Sequence, residues 1–102
     1  MQEKLLSDVR NYLDITFQDD ETDKKLKGII ARGISYLDGV AGEMQDYEAE
    51  GLPRALLFDY CRYARNNVIE LFKENFQSEL VTLRMGAQTN EFAEEQGYIG
   101  ND

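Results

Sequence analysis

The sequence has no histidine, no tryptophan, one cysteine and one proline in 102 residues. Histidine is the commonest general base and transition-metal ligand, so its absence excludes most familiar catalytic and metal sites. Because Cys61 is alone, an internal disulfide is impossible, which suits a reducing compartment. No apolar run approaches about 18 residues, and no signal-peptide pattern opens the chain. We therefore expect a protein that is soluble and intracellular when made, with no membrane segment, metal or other cofactor.

Basic residues are also scarce, with 11 Lys and Arg against 20 Asp and Glu and a formal charge of −9. A surface of that sign repels nucleic acid and anionic membranes. If many copies closed into a ring, the same charge would repel DNA passing through the pore instead of binding it. The length allows one hydrophobic core and is too short for two.

Apolar residues recur at three- and four-residue spacing in three segments, which predicts a small all-α bundle. The expected helices span about residues 3–14, 21–41 and 53–76. The third helix has the widest apolar surface, so we expect it to contact other elements on more than one side. Phe17, after the first helix, is expected to fold back over the core.

The residues between these segments mark the helix ends. Acids that complement the positive N-terminus and can cap it precede the second helix, namely Asp19, Asp20, Glu21 and Asp23. Gly33 interrupts that helix on its apolar side, which indicates close approach of a neighbouring helix. Gly39 and Gly42 end the helix, residues 43–51 form a polar acidic loop, and Pro53 opens the next helix.

The C-terminal part of the chain is harder to interpret. Residues 78–85 fit either a short helix or an extended arm. We expect a helical domain over residues 1–85, followed by an acidic tail, residues 86–102, that stays mobile or folds on a partner. The apolar residues that this tail would offer to a partner's groove are Phe92, Tyr98 and Ile99.

Few residue groups suggest chemistry. The acids from Asp19 onward do not match a calcium loop, because Lys24 and Ile30 occupy the positions of its glycine and its bidentate glutamate. Glu70 and Glu74 share a helix face with no nucleophile or base beside them, as surface carboxylates commonly do. Cys61 lies on an apolar stripe without a histidine to activate it, which indicates core packing.

A group of basic, aromatic and amide side chains in the third helix has two interpretations, its members being Arg62, Tyr63, Arg65, Asn66 and Asn67. Such a mixture occurs in grooves that bind RNA or DNA. In so acidic a chain, pairing of these arginines with carboxylates, within one subunit or between subunits, is the favoured interpretation. Arg62 and Arg65 are the residues that we expect to contact the acids of a neighbouring copy.

The order of these segments resembles the head-tail connector family of long-tailed bacteriophages and prophages, also called adaptor or head-completion proteins. The resemblance covers roughly residues 3–85. It is carried by LLSDVRNYL at 5–13, SYLDGVAG at 35–42, YCRYARNN at 60–67 and FKENFQSELVTLR at 72–84. These are patterns of helices and helix ends, not a catalytic signature.

The resemblance implies a structural virion protein, made in the bacterial cytoplasm and located at the head-tail junction. Such a subunit forms a ring of about twelve copies beneath the portal, by heterologous contacts that close by rotation, and it can be a monomer alone. The ring extends the DNA channel without binding DNA specifically and meets a tail-side head-completion protein. The portal-facing role would fall to Glu79, Leu83, Arg84, Phe92, Tyr98 and Ile99.

Two other classes of function are considered. A small acidic protein can mimic DNA and occupy a basic groove on a host protein, in which case binding is strongly salt-dependent and no ring forms. An enzyme would depend on carboxylates alone, and no acids converge from separate segments, so we expect no enzymatic activity.

Overall fold

The computed structural model describes residues 2–95, with side chains described for residues 3–86. The α-helices are α1 Gln2–Tyr12, α2 Asp20–Ala41, α3 Leu52–Arg65, α4 Phe72–Asn75 and α5 Gln77–Glu95, with a 3-10 turn at Ile69–Leu71. No strand occurs over this part of the chain, so the predicted all-α bundle is confirmed. Within the same range no helix has the length and apolar character needed to cross a membrane.

The core lies where α1, α2 and α3 meet. Its fully buried side chains come from the predicted stripes and include Leu5, Val9, Leu26, Ile30, Leu37, Leu56, Leu57 and Cys61. Each buried aliphatic side chain contributes about 1.5–3 kcal/mol relative to an exposed one. Helix α3 contacts all the other helices, as its wide apolar surface predicts.

Helices α2 and α3 form an antiparallel pair that crosses closely at Gly33. A Cβ atom added at Gly33 would lie 2.8 Å from Leu57 Cδ1 and 2.9 Å from Tyr60 Cδ1, closer than carbon atoms tolerate. Gly33 therefore costs α2 some helix propensity and in return lets the two helices pack in contact. The predicted close approach is confirmed.

Helix α3 is shorter than predicted, since it ends at Arg65 and not near residue 76. Asn67 adopts a left-handed conformation with φ 61°. The N–H of Asn67 donates to Ala64 O at 3.1 Å, and the N–H of Val68 donates to Tyr63 O at 3.0 Å. These are the two bonds of a Schellman motif, and asparagine tolerates its left-handed position well.

Beyond this turn the chain folds back onto α3 through Phe72. The ring of Phe72 is 2% exposed and packs against four other aromatic rings at centroid distances of 5.0 to 6.3 Å, those of Tyr36, Tyr60, Tyr63 and Phe76. The apolar spacing that predicted one continuous helix over residues 53–76 therefore comes from two separate helices, α3 and α4, that pack on the same core.

Helix α1 ends at Tyr12 and is followed by the same kind of turn, in which Asp14 adopts a left-handed conformation with φ 60°. The N–H of Ile15 donates to Arg10 O at 2.9 Å, and Ile15 itself is buried. Phe17 is 52% exposed, so the prediction that it covers the core is wrong. Ile15 takes that place because the left-handed turn directs the residue immediately after it inward.

Helix α5 begins at Gln77 and buries Leu80 and Leu83 against the bundle, so the helical alternative for residues 78–85 is the correct one. The helix continues past the expected domain end at Met85 as far as Glu95. Mobility of the acidic tail stays a prediction, and its last residues, 96–102, lie outside the described part of the chain.

Candidate interaction surfaces

The loop between α2 and α3 carries acidic side chains and is held in place by Tyr47. The Tyr47 side chain is 1% exposed, and its hydroxyl donates a hydrogen bond to Asp38 Oδ1 at 2.6 Å. The same oxygen accepts the backbone N–H of Gln45 at 3.0 Å. Burial, together with the neighbouring Asp38 carboxylate, raises the pKa of Tyr47 well above its ordinary value. The tyrosine thus ties the loop to the end of α2.

Arg54 ties the same loop to two other helices. Its guanidinium donates to Tyr47 O at 3.1 Å and pairs with Asp8 of α1 at 3.0 Å. The guanidinium also lies 4.5 Å from the centroid of the Phe58 ring. Residues 43–51, which we call the acidic loop, contain four acids and no base, the acids being Glu43, Asp46, Glu48 and Glu50. A negatively charged segment is therefore displayed in a defined conformation.

The N-terminal half of α2 and the C-terminal end of α3 enclose a second surface, which we call the basic groove. The groove has a volume of about 570 Å³. Four exposed cations line it, namely Lys24, Lys25, Arg32 and Arg65. Glu21 is the one acid among its lining residues. None of the four cations forms an ion pair within the described residues.

Two of the acids near this groove have other partners. Asp23 pairs with Arg10 at 2.7 Å. Asp19 caps α2 by accepting the backbone N–H of Thr22 at 3.3 Å. It also accepts the hydroxyl of Thr22 at 2.6 Å, and this hydrogen bond lowers the pKa of Asp19. Capping at the start of α2, predicted from the sequence, is confirmed.

The acidic loop and the basic groove lie toward opposite ends of the α2–α3 pair. Gly28 and Ala64 both line the groove, whereas Ala41 and Leu52 flank the loop. With a rise of about 1.5 Å per helical residue, the two surfaces are about 20 Å apart along α2. A chain with net charge −9 therefore keeps a local positive surface at one end of its longest helix.

The two arginines predicted to meet carboxylates have different surroundings. Arg62 donates to Asp59 Oδ1 at 3.1 Å, and Tyr12 donates to the same oxygen at 2.9 Å. The hydrogen bond to Asp59 is the main reason that the pKa of Arg62 is raised. Arg62 thus takes the intramolecular alternative, whereas Arg65 belongs to the basic groove and pairs with no acid in the described residues.

A third surface, the α2/α5 groove, separates the end of α2 from α5 and has a volume of about 730 Å³. Lys73 and Arg84 line it, and neither forms an ion pair within residues 3–86. Val81, also in its lining, is 50% exposed. A Cβ atom at Gly39 would have nothing within 4 Å, so the groove is open on the α2 side.

The predicted portal-facing residues are only partly available. Arg84 and Glu79 are exposed on α5, whereas Leu83 is 5% exposed and belongs to the bundle core. Phe92 lies in α5, with a side chain outside those described. Tyr98 and Ile99 lie outside the described residues altogether.

The residues considered for catalysis are either buried in the core or exposed on the surface. Cys61 is fully buried, and burial raises the pKa of its thiol to about 12, so almost no thiolate forms at neutral pH. Glu70 and Glu74 are exposed. Within the part of the chain described, no three His, Cys, Asp or Glu residues are placed to hold a metal ion.

Sequence reasoning missed Tyr47 and three of the four groove cations. Lys24, Lys25 and Arg32 were missed because nothing in the linear pattern places them beside Arg65. For Tyr47 there was a weak signal, since a lone aromatic residue in an otherwise polar loop often anchors it.

No family model, no curated protein and no solved structure matches the chain.

Proposed function

We propose that this protein is a structural subunit of a phage head-tail junction, a connector that assembles as a ring under the portal and joins the head to the tail. The proposal starts from the sequence resemblance over residues 3–85. In that role the chain extends the DNA channel and contacts the portal on one side and a tail-side head-completion protein on the other. It acts by assembly and not by catalysis.

One structural observation supports this role above the others, the composition of the outer face of α5. Leu80 and Leu83 hold the helix on the bundle. Val81, Arg84 and Met85 lie on exposed positions of the same turns, and Val81 and Met85 are 50% and 57% exposed. An apolar pair four residues apart with a cation beside it, next to an open groove, is a suitable docking surface for a helix.

We assign the portal contact to this face of α5. The assignment keeps Arg84 from the sequence prediction and adds Val81, whereas Leu83 supports the face from inside the core. Glu79 is exposed but lies about 160° around the helix from Val81, so it does not belong to this face. The cations Arg84 and Lys73 favour an acidic partner helix, since opposite charge across an interface steers encounter and fixes orientation.

The test is reconstitution with the portal protein of the phage or prophage that encodes this chain. The wild-type protein is mixed with purified portal, and ring-shaped complexes are counted by electron microscopy. The variant Val81→Asp with Arg84→Glu should lose most of the complex while its melting temperature stays close to wild type. Lys27→Glu with Ala31→Asp, which makes the same change of charge at two exposed positions of α2, is the matched control and should assemble normally. Unimpaired rings from the α5 variant would refute the assignment, and no complex with wild type would refute the function.

The alternative, a DNA mimic, is favoured by the acidic loop, which displays carboxylates in a fixed conformation. A mimic would bind one basic host protein, and raising the salt concentration would release it. Glu43→Lys with Glu50→Lys would then abolish host binding while Val81→Asp has no effect. The connector function predicts that Val81→Asp weakens portal binding, whereas Glu43→Lys with Glu50→Lys leaves portal binding unchanged.

A further inference from the structure

The basic groove and the acidic loop have complementary charges. The groove offers four cations around one acid, and none of the four is ion-paired within the described residues. The loop offers four carboxylates, of which Glu43, Asp46 and Glu50 are exposed, and Glu50 also pairs with Arg54 at 3.5 Å. Because the two surfaces lie toward opposite ends of the α2–α3 pair, about 20 Å apart, one loop cannot reach its own groove.

We propose that the basic groove binds the acidic loop of a second copy of this chain. The contact is heterologous, because it joins two different surfaces. Two copies joined in this way leave one loop and one groove free, so further copies can bind at either end. Such a contact propagates and closes into a ring if the rotation between copies allows it. The inference rests on the proposed function for its biological setting, and it supplies the lateral contact between ring subunits.

The chemistry of the two surfaces favours a protein carboxylate over nucleic acid as the occupant. The groove is short and belongs to a chain whose net charge of −9 repels a polyphosphate at longer range. The acidic loop is small, and its conformation is fixed by Tyr47 and Arg54, so little ordering is needed when it binds.

The native chain simplifies a cross-linking test, because Cys61 is buried with a pKa near 12 and does not compete with added thiols. Two single substitutions introduce reactive cysteines without removing any charge, Ala49→Cys in the loop and Gly28→Cys in the groove. The two full-length proteins are mixed at about 1 mM each, where a contact of about 1 mM Kd is substantially occupied. A short bismaleimide then links cysteines that lie close together.

The loop cysteine should link to the groove cysteine, giving a heterodimer band that exceeds either homodimer severalfold. Ser78→Cys, an exposed position on α5, is the control partner and should give only background linkage to the loop cysteine. Raising the ionic strength to 1 M, where the Debye length falls to about 3 Å, should reduce the heterodimer to background. The proposal would be overturned if the loop cysteine linked equally to the loop, groove and Ser78→Cys cysteines, or if it linked to none of them at 1 mM.

Charge reversal separates an electrostatic contact from chance proximity. Lys24→Glu, Arg32→Glu and Arg65→Glu together bring the groove from a charge of +3 to −3. Glu43→Lys, Asp46→Lys and Glu48→Lys together bring the loop from −4 to +2 and leave Glu50 paired with Arg54. Introduced into both cysteine proteins, either reversal alone should abolish linkage, and both reversals together should restore it. Glu70→Lys, Glu74→Lys and Glu79→Lys together carry the same change of charge as the loop variant on other exposed positions and should leave linkage unchanged. Failure of the combined variant to recover would overturn the proposal, provided that its circular dichroism spectrum is native.

A DNA arm tests the other occupant. A short duplex added to the mixture should not protect the Gly28→Cys thiol from maleimide at physiological salt. Saturable protection by DNA would overturn the proposal in favour of a nucleic-acid groove. The outcomes also separate this inference from the proposed function. If portal complexes form but the loop cysteine does not link to the groove cysteine, the connector function stands and the proposed contact between copies is refuted. If the cysteines link but the portal is not bound, the contact stands and the connector function is refuted.

Discussion

Replacing Tyr47 with phenylalanine removes one oxygen atom from the anchor of the acidic loop and leaves the aromatic ring in place. The lost hydrogen bond joins the Tyr47 hydroxyl to the Asp38 carboxylate at 2.6 Å. A hydrogen bond to a charged group contributes about 1.5–3 kcal/mol to stability. Because Asp38 still accepts the N–H of Gln45, we expect the free energy of unfolding to fall by about 2 kcal/mol.

Urea unfolding followed by circular dichroism measures this loss directly. A shift of the midpoint without a change of slope would show that stability, and not the compactness of the unfolded chain, has changed. For a domain of this size a loss of about 2 kcal/mol lowers the melting temperature by roughly 8–16 °C. Tyr60→Phe is the matched control, since the described residues offer the Tyr60 hydroxyl no hydrogen bond and its loss should cost little.

The same substitution has a pH signature. Because the pKa of Tyr47 is raised above its ordinary value of 10.0 in the folded protein, its neutral form contributes stability that is present below pH 10 and lost above it. Wild type should therefore lose stability as the pH rises above about 10, and Tyr47→Phe should lose less. A Tyr47→Phe protein within about 0.5 kcal/mol of wild type at pH 7, with the same alkaline profile, would refute the anchoring role.

Four further predictions concern single residues. Gly33→Ala should lower the free energy of unfolding by about 1–2 kcal/mol through overpacking, whereas Gly39→Ala, with open space around it, should raise it by up to about 1 kcal/mol; the same sign for both would contradict the close helix crossing. The Cys61 thiol should resist labelling at pH 8 until urea unfolds the chain, and rapid native labelling would show that it is accessible. Asn67→Gly should melt near wild type, whereas Asn67→Val should cost about 1–3 kcal/mol, and equal melting temperatures would rule out the left-handed turn. Asp19→Ala should lower the melting temperature at pH 7, and lower it less well below pH 3.8. The pKa of Asp19 is lowered in the folded protein, so its carboxylate stabilises the fold above pH 3.8 and this stabilisation is lost as the pH falls below the lowered pKa. An equal fall in melting temperature at both pH values would refute a role for the carboxylate charge.

The sequence was sufficient for the parts of the fold that depend on local pattern. Helix α2 could be placed almost to the residue, because an acid caps its start and Gly42 ends it in the left-handed conformation. The close crossing at Gly33 could be inferred because a glycine on a buried stripe weakens its helix unless a neighbouring helix occupies the space of the missing side chain. The extent of α3 could not be predicted, because Phe72 keeps helical spacing with Cys61 across a break that only the Asn67 backbone reveals.

The candidate surfaces were less predictable, because they depend on which helices pair. Lys25 and Arg65 are forty residues apart in sequence, and they line the same groove only because α2 and α3 pack against each other in antiparallel orientation. Tyr47 is buried because Asp38, at the end of another element, accepts a hydrogen bond from its hydroxyl. Leu83 was assigned to a partner, yet burying it against the chain's own core stabilises the fold, and the exposed position passes to Arg84.

The left-handed residue at Asn67 has a consequence for how this protein can change over evolution. The left-handed turn at Asn67 reverses the chain after α3, and the buried side chains of Phe72, Leu80 and Leu83 then hold α4 and α5 on the bundle. The proposed lateral surfaces are on α2, α3 and the loop between them, whereas the proposed portal face is on α5. The turn at Asn67 is therefore the point where the chain passes from one set of proposed contacts to the other. Substitution there could adapt the subunit to a portal of different slope while both contact surfaces keep their own residues.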